Sequence, residues 1–136
     1  MVKLLIIADD FTGALDTGVQ FAARGAATRV VTDLAYDFTL ADAEVLVMVA
    51  ETRHLPPEEA YDVVYRTAGI PYIYKKTDSA LRGNIGSELT AVMDAAGSDT
   101  IAFLPAFPKM GRVTRNGVHY VDGVPVAESV FGKDPF

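Results

Sequence analysis

Two runs of this sequence, KLLIIA at 3–8 and AEVLVMVAE at 43–51, leave almost no room for a solvent-facing side. A strand with one wet face alternates apolar and polar residues, because successive side chains point to opposite sides. Unbroken apolar runs are instead the mark of strands covered on both faces, as in parallel sheets. Parallel strands need crossovers, usually helical, and the sequence between the runs has to supply them.

It does so in order. DDFTGALDTGVQFAARGAA follows the first run: Asp10 or Thr12 can cap a helix, Leu15, Val19, Phe21 and Ala22 form an approximate stripe, and Gly25 offers a stop. TRVVTD (28–33) is expected as a second strand, with 43–51 as the third. PPEEAYDVVYRTAGI (56–70) opens on prolines and acids and closes at Gly69, the asymmetry of a helix. YIYKKTD (72–78) reads as a fourth strand, and SELTAVMDAAG (87–97) as a helix with Ser87 as N-cap and Gly97 as stop. TIAFLPAFP (100–108) is expected as a fifth strand that breaks into a Pro-marked loop. GVHYVDGVPVAES (117–129) alternates apolar residues around DG, a hairpin signal. The fold class expected is α/β: a three-layer Rossmann-like parallel sheet with helices on both faces and a C-terminal β-hairpin arm.

No linker divides the 136 residues, so they read as one domain. The ending FGKDPF, with neither a helix nor a polar tail, suggests the N-terminal part of something longer. A net charge of −6 argues against general nucleic-acid binding, which leans on excess Lys and Arg. The absence of cysteine excludes disulfides, thiolate catalysis and Cys-ligated zinc, and suits a cytoplasmic protein. The apolar run 4–7, ended by two Asp, is too short for a signal-peptide core or a membrane span, so no membrane partner is expected.

In parallel α/β sheets, ligands bind beyond the carboxyl ends of the strands. Four polar clusters fall there: ADDFTG, ETRH, KKTDSALRGN and PAFPKMGR, while the opposite ends are bland. Adjacent Asp9 and Asp10 can bind a cation, orient a hydroxyl or act as general base, or one of them only caps the helix. Arg53 has the planar fork that suits a carboxylate or phosphate, although a single Arg is most often simply solvated. His54 has no second His at ligand spacing, so no resident metal is expected.

In KKTDSALRGNIGSEL, which carries Lys75, Lys76, Asp78, Ser79, Arg82, Gly83 and Asn84, glycines permit close backbone approach and a helix N-terminus adds partial positive charge. That suits an anionic ligand; the bland reading is a surface turn with a good cap. Neither a Walker A loop nor G-x-G-x-x-G is present, which leaves cofactor-binding residues unassigned. Asp16 lies about two helical turns from Asp9 and reads as structural or rim, whereas Tyr61, Val64, Met93, Phe103 and Phe107 read as packing. Tyr120 either covers the site or packs the arm. A phosphatase with an N-terminal Asp nucleophile lacks its usual D-x-D order here. A binding or sensing module without group transfer stays open.

ADDFTGALDTG, ETRH, YKKTDSALRGNIGSEL and PAFPKMGRVTRNGVHYVDGVPVAESVFGKDP, four motifs in one order from Leu4 to Pro135, resemble the N-terminal domain of four-carbon acid sugar kinases, the YgbK-like family. The resemblance implies phosphorylation of threonate, erythronate or 3-oxo-tetronate with ATP. It also implies that this domain holds the acid sugar while a separate C-terminal domain supplies most of the site for ATP and Mg2+. By motif, Asp9, Asp10 and Asp78 would be the catalytic candidates. Asp10, Arg53, Asp78, Ser79, Arg82, Gly83 and Asn84 would surround the substrate. Arg53 and Arg82 are expected to hold the substrate carboxylate. Expected partners are the acid sugar, the C-terminal nucleotide-binding domain and, through the arm, a second copy of the chain.

Overall fold

The structure is a computed structural model that describes residues 1–68, 70 and 72–134. Four strands, β1 (Leu4–Ala8), β2 (Thr28–Val31), β3 (Val45–Val49) and β4 (Ile73–Lys76), form one sheet in the order β2-β3-β1-β4. Every pairing in it is parallel, with Leu4 opposite Val45 and Leu5 opposite Ile73 setting the register. The both-faces-buried reading of the apolar runs holds residue by residue. Leu5, Ile7, Leu46, Met48 and Ala50 enter one core cluster, and Ile6, Ala8, Val45, Val47 and Val49 enter the other.

Helix α1 (Phe11–Ala22) covers the second cluster, contributing Ala14. Helices α2 (Pro57–Thr67) and α3 (Ile85–Ala96) cover the first, contributing Val64, Ala91 and Val92. Asp10 provides the α1 cap, its Oδ1 accepting from the Gly13 N–H at 2.8 Å, and Thr12 lies inside the first turn. Helix α2 has Glu58 and Glu59 in its first turn and Arg66 in its last, matching charge to the helix dipole. Its expected stop, Gly69, lies outside the described residues. Among the described residues no helix is long and apolar enough to cross a membrane.

Two expectations need correction. Helix α3 starts at Ile85, with Asn84 and not Ser87 at the cap position. The Asn84 side chain makes no cap bond there; its amide nitrogen donates to the Thr52 and Leu55 carbonyls at 2.9 and 2.8 Å. Gly97 does end the helix, in the left-handed conformation at φ 60° that glycine adopts without strain.

The fifth strand is absent: 101–106 carries no ladder, and Leu104 is 86% exposed. An apolar run becomes a buried strand only where a partner edge and two covering faces exist. Pro105 also lacks the N–H a ladder needs.

The expected hairpin is a three-stranded antiparallel sheet, β5 (Arg112–Arg115), β6 (Val118–Val121) and β7 (Val124–Pro125). Its turns are Asn116-Gly117 and Asp122-Gly123, all four residues at positive φ, as type I′ hairpins require. The first of these was equally legible in the sequence as an NG pair.

One polar contact lies within the first core. Period-2 alternation sends Lys75 toward the α2–α3 face, where its Nζ stands 3.0 Å from Glu88 Oε2 with both side chains 1% exposed. Thr52, itself fully buried, donates to Glu88 Oε1. Removing one member of such a pair strands a buried charge. Lys75→Met alone is expected to cost about 3–5 kcal/mol of unfolding free energy in urea titrations. Lys75→Met with Glu88→Gln, which keeps an acceptor for Thr52, is expected to recover most of that loss. Equal losses in the single and double variants would disprove the pairing.

Candidate functional site

The loops after β1, β3 and β4 meet at the carboxyl end of the sheet, and Arg53 joins them. Its Nε donates to Asp9 Oδ2 at 2.8 Å, Nη1 lies 2.9 Å from Asp10 Oδ2, and Nη2 lies 4.0 Å from Asp78 Oδ1. The Arg53 backbone N–H also reaches the Asp9 carbonyl at 3.3 Å, prolonging the β1–β3 pairing past the strand ends. Burial opposes the Arg53 charge, but the bond to Asp9 and the charges of Asp9, Asp10 and Asp78 outweigh it and raise its pKa further. Arg53 is therefore a permanent cation.

A second arginine closes the loop after β4 on itself. Arg82 grips Asp78 with Nε at 2.9 Å from Oδ2 and Nη2 at 3.1 Å from Oδ1. The Ala80 and Arg82 backbone N–H groups donate to the same Oδ2. Burial pushes the Asp78 carboxyl up, yet these bonds and the nearby guanidinium charges hold it below the ordinary aspartate range. Arg82 also lies over the Phe131 ring, 5.3 Å from its centre, with Arg112 at 5.8 Å.

The loop conformations are unusual where the charges gather. Glu51 and Leu81 have φ of 51° and 61°, a region costly for residues with a Cβ. Gly83, at φ 88°, packs so closely on Arg53 that a Cβ there would stand 3.3 Å from the Arg53 Cα. That contact sets the distance between the loops after β3 and β4.

Of the residues expected at the site, Asp9, Asp10, Arg53, Asp78, Arg82, Gly83 and Asn84 thus belong to one connected cluster. Ser79 enters it through its backbone: the His119 Nε2 lies 2.7 Å from the Ser79 carbonyl. A carbonyl only accepts, so Nε2 carries a proton and donates it there, while Nδ1 is hydrogen-bonded to the Thr114 hydroxyl at 2.9 Å. Asp16 and His54 are exposed.

His119, Glu88, Thr52 and Phe131 were not anticipated as supports, and His119 lies 40 positions from the carbonyl it holds. No spacing rule reaches across such a gap. Lys76 was legible by alternation: if Lys75 faces one side of β4, Lys76 must face the other. Its Nζ lies beside Gly13, within 2.6 Å of where a Cβ would stand.

A family model described as the sugar-binding N-terminal domain matches residues 4–136. The chain belongs to that family. Among relatives, a D-threonate kinase of Salmonella typhimurium is 43% identical over 98% of this chain and 33% of its own length. A D-erythronate kinase of Heliobacterium modesticaldum is 37% identical over 99% of this chain and 33% of its own. This sugar-binding domain therefore spans about a third of the curated relatives it matches. A crystal structure from Bordetella bronchiseptica, of a domain of unknown function with bound citrate in a domain-swapped dimer, superposes with a TM-score of 0.88 at 40% identity. It covers 98% of this chain and 36% of that one. The parallel sheet with helices and a small antiparallel sheet is the fold of this family.

Two substitutions probe how the sugar-binding domain holds this cluster. Gly83→Ala must adopt a strained φ and push on Arg53, and is expected to lower stability by about 1–3 kcal/mol in denaturant titrations. Asp78→Asn removes the bidentate partner of Arg82 at a comparable cost of about 1.5–3 kcal/mol near neutral pH. The Asp78 carboxyl is depressed on folding, so its contribution is fully present above the unfolded value of about 3.9. It is lost as pH falls through the lower folded value. The stability gap between wild type and Asp78→Asn should therefore be flat at neutral pH and shrink below about pH 4. A gap independent of pH would exclude the charged pair as its source.

Proposed function

We propose that this chain is the acceptor-binding part of an ATP-dependent kinase for a four-carbon acid sugar, with threonate, erythronate and 3-oxo-tetronate as the substrate class. The observation that carries the reading is the Arg53-centred cluster: three loops deliver three aspartates and two arginines to one sheet end. Membership of the sugar-binding family and the kinase names of its relatives support it. The citrate in the Bordetella bronchiseptica relative supports a small hydroxy acid as the ligand type. The remaining two thirds of the relatives' length supports a C-terminal domain as the source of the nucleotide site. The domain-swapped form of that relative supports self-association.

In such a reaction an acceptor hydroxyl oxygen bonds to the γ-phosphorus while the bond to the ADP oxygen breaks, and the hydroxyl proton leaves to a base. Asp10 suits the base role best. It is the most exposed of the three carboxylates, at 25%, against 2% for Asp9 and 12% for Asp78. The Gly13 N–H and Arg53 fix its orientation without enclosing it. Asp78, held low by Arg82, is a poor proton acceptor and serves to position the loop.

ATP brings its own metal chemistry. Among the described residues no three His, Cys, Asp or Glu side chains cluster to hold an ion. The site aspartates are instead engaged by guanidinium groups, so the donor set here does not fit a resident metal.

The test uses the protein as encoded, with whatever follows this chain in its reading frame. ATP-dependent phosphorylation of D-threonate, D-erythronate and 3-oxo-tetronate is measured for wild type and Asp10→Asn. Wild type is expected to turn over at least one acid, with kcat lower by about 10²–10⁴ in the variant. Binding without turnover by the full-length wild type would favour a sensing module. Neither binding nor turnover would overturn the proposal.

A further inference from the structure

One surface of the chain is apolar and has nothing over it. In the run 101–107, Ile101, Phe103, Leu104 and Phe107 are exposed, Leu104 at 86%, and Met110 just beyond is exposed too. None of 101–107 belongs to either core cluster. From 101 to 106 the backbone makes no hydrogen bond to any described residue. The run holds no charge, and its first charged neighbours are Asp99 on one side and Lys109 on the other.

Its path follows the open edge of the sheet. β4 ends the order β2-β3-β1-β4, so among the described residues one side of it has no neighbouring strand. Ile101 lines the same hollow as Ile73, the first residue of β4. At the other end Phe107 bridges to Arg112 of β5, and the arm that begins there reaches the Ser79 carbonyl, just past β4. The run therefore passes outside β4 from its beginning to beyond its end. Tyr74, within that strand, is 50% exposed.

A contiguous apolar patch with a polar rim marks an interaction site on a protein surface. An open sheet edge beside it is a place where chains join one another, and native proteins cover such edges. The chain spans about a third of the curated relatives it matches, and in them two thirds of the polypeptide remains to cover such a surface. Resting on the kinase reading above, in which a nucleotide-binding part follows this chain, we propose that the run 101–107, with Tyr74 and Met110, is the surface on which that part packs. The run ends in PAFPKMGR, beside the loop that carries Asp78 and Arg82. A domain seated there comes to the same end of the sheet as Asp10, where a phosphoryl donor has to arrive in line with the acceptor. Covalent continuity holds that domain at high effective concentration, so a permanent cover needs no second copy.

The experiment reads side-chain exposure in the full-length wild-type protein by hydroxyl-radical footprinting, with residues of the same type as references. In this chain Leu104 and Leu40 are 86% and 73% exposed, and Tyr74 and Tyr65 are 50% and 47%. In the full-length protein Leu104 and Tyr74 are expected to lose most of their reactivity, while Leu40 and Tyr65 keep theirs. A second measurement names the occupant. Photoreactive p-benzoylphenylalanine in place of Leu104 is irradiated in the full-length protein, and the cross-linked peptide is sequenced. That peptide is expected to come from beyond residue 136.

Leu104 as reactive as Leu40 overturns the proposal. So does a cross-link to residues 1–136, which makes a second copy or the chain's own arm the cover. Phosphorylation of an acid by a protein whose run stays reactive defeats the docking surface alone. A run protected by polypeptide from beyond residue 136, in a protein that turns over none of the acids, defeats the kinase reading and leaves the docking surface standing.

Discussion

Three aspartates at one end of a sheet repel one another, and like charges at close range drive one of them toward protonation. Arg53 removes that conflict. Its guanidinium has one edge on Asp9, another on Asp10, and the third nitrogen toward Asp78, so a single side chain sets the spacing of groups from three loops. The rest of the cluster is arranged around keeping that arginine in place. Gly83 packs against it without a side chain, and Asn84 clamps the carbonyls on either side of its turn. Thr52, the residue before it, is anchored to Glu88 within the core. A positioned fork pre-organises the site in the way a flexible cation would not.

The β4 strand shows how one periodicity distributes chemistry between stability and function. Two adjacent lysines point to opposite faces. Lys75 joins a dry ion pair under α3, while Lys76 emerges beside the head of α1. The sheet thus uses the same residue type as an internal strut and as a half-buried charge at the head of α1, and only the parity of the position decides which.

Much of this was legible in the sequence. The unbroken runs at 4–8 and 45–49 pointed to a parallel sheet because strands covered on both faces are the rule there, with helical crossovers supplying the cover. The topology then placed Asp9, Asp10, Arg53 and the 78–84 loop at one end before any distance was known. What failed had physical reasons. The run at 100–108 has strand composition, but pairing is a property of two segments and its partner edge cannot be read from one. Ser87 has the chemistry of a cap, yet the cap position fell to Asn84, whose amide was needed across the loop. Thr52 and Glu88 lie 36 positions apart, His119 and Ser79 lie 40 apart, and only the finished fold brings each pair into contact.

The bond from His119 to the Ser79 carbonyl ties the arm to the site. The small antiparallel sheet contains three short strands and little core, the kind of unit that opens locally at low free energy. Through one imidazole it nonetheless holds the backbone of the loop that carries Asp78 and Arg82. The loop is thus held from outside by the arm as well as from within by its own Asp78–Arg82 pair. Fraying of this peripheral ribbon would remove that one support while leaving the Asp78–Arg82 pair in place, so the stiffness of the loop is shared between a grip four residues long and a bond that spans 40.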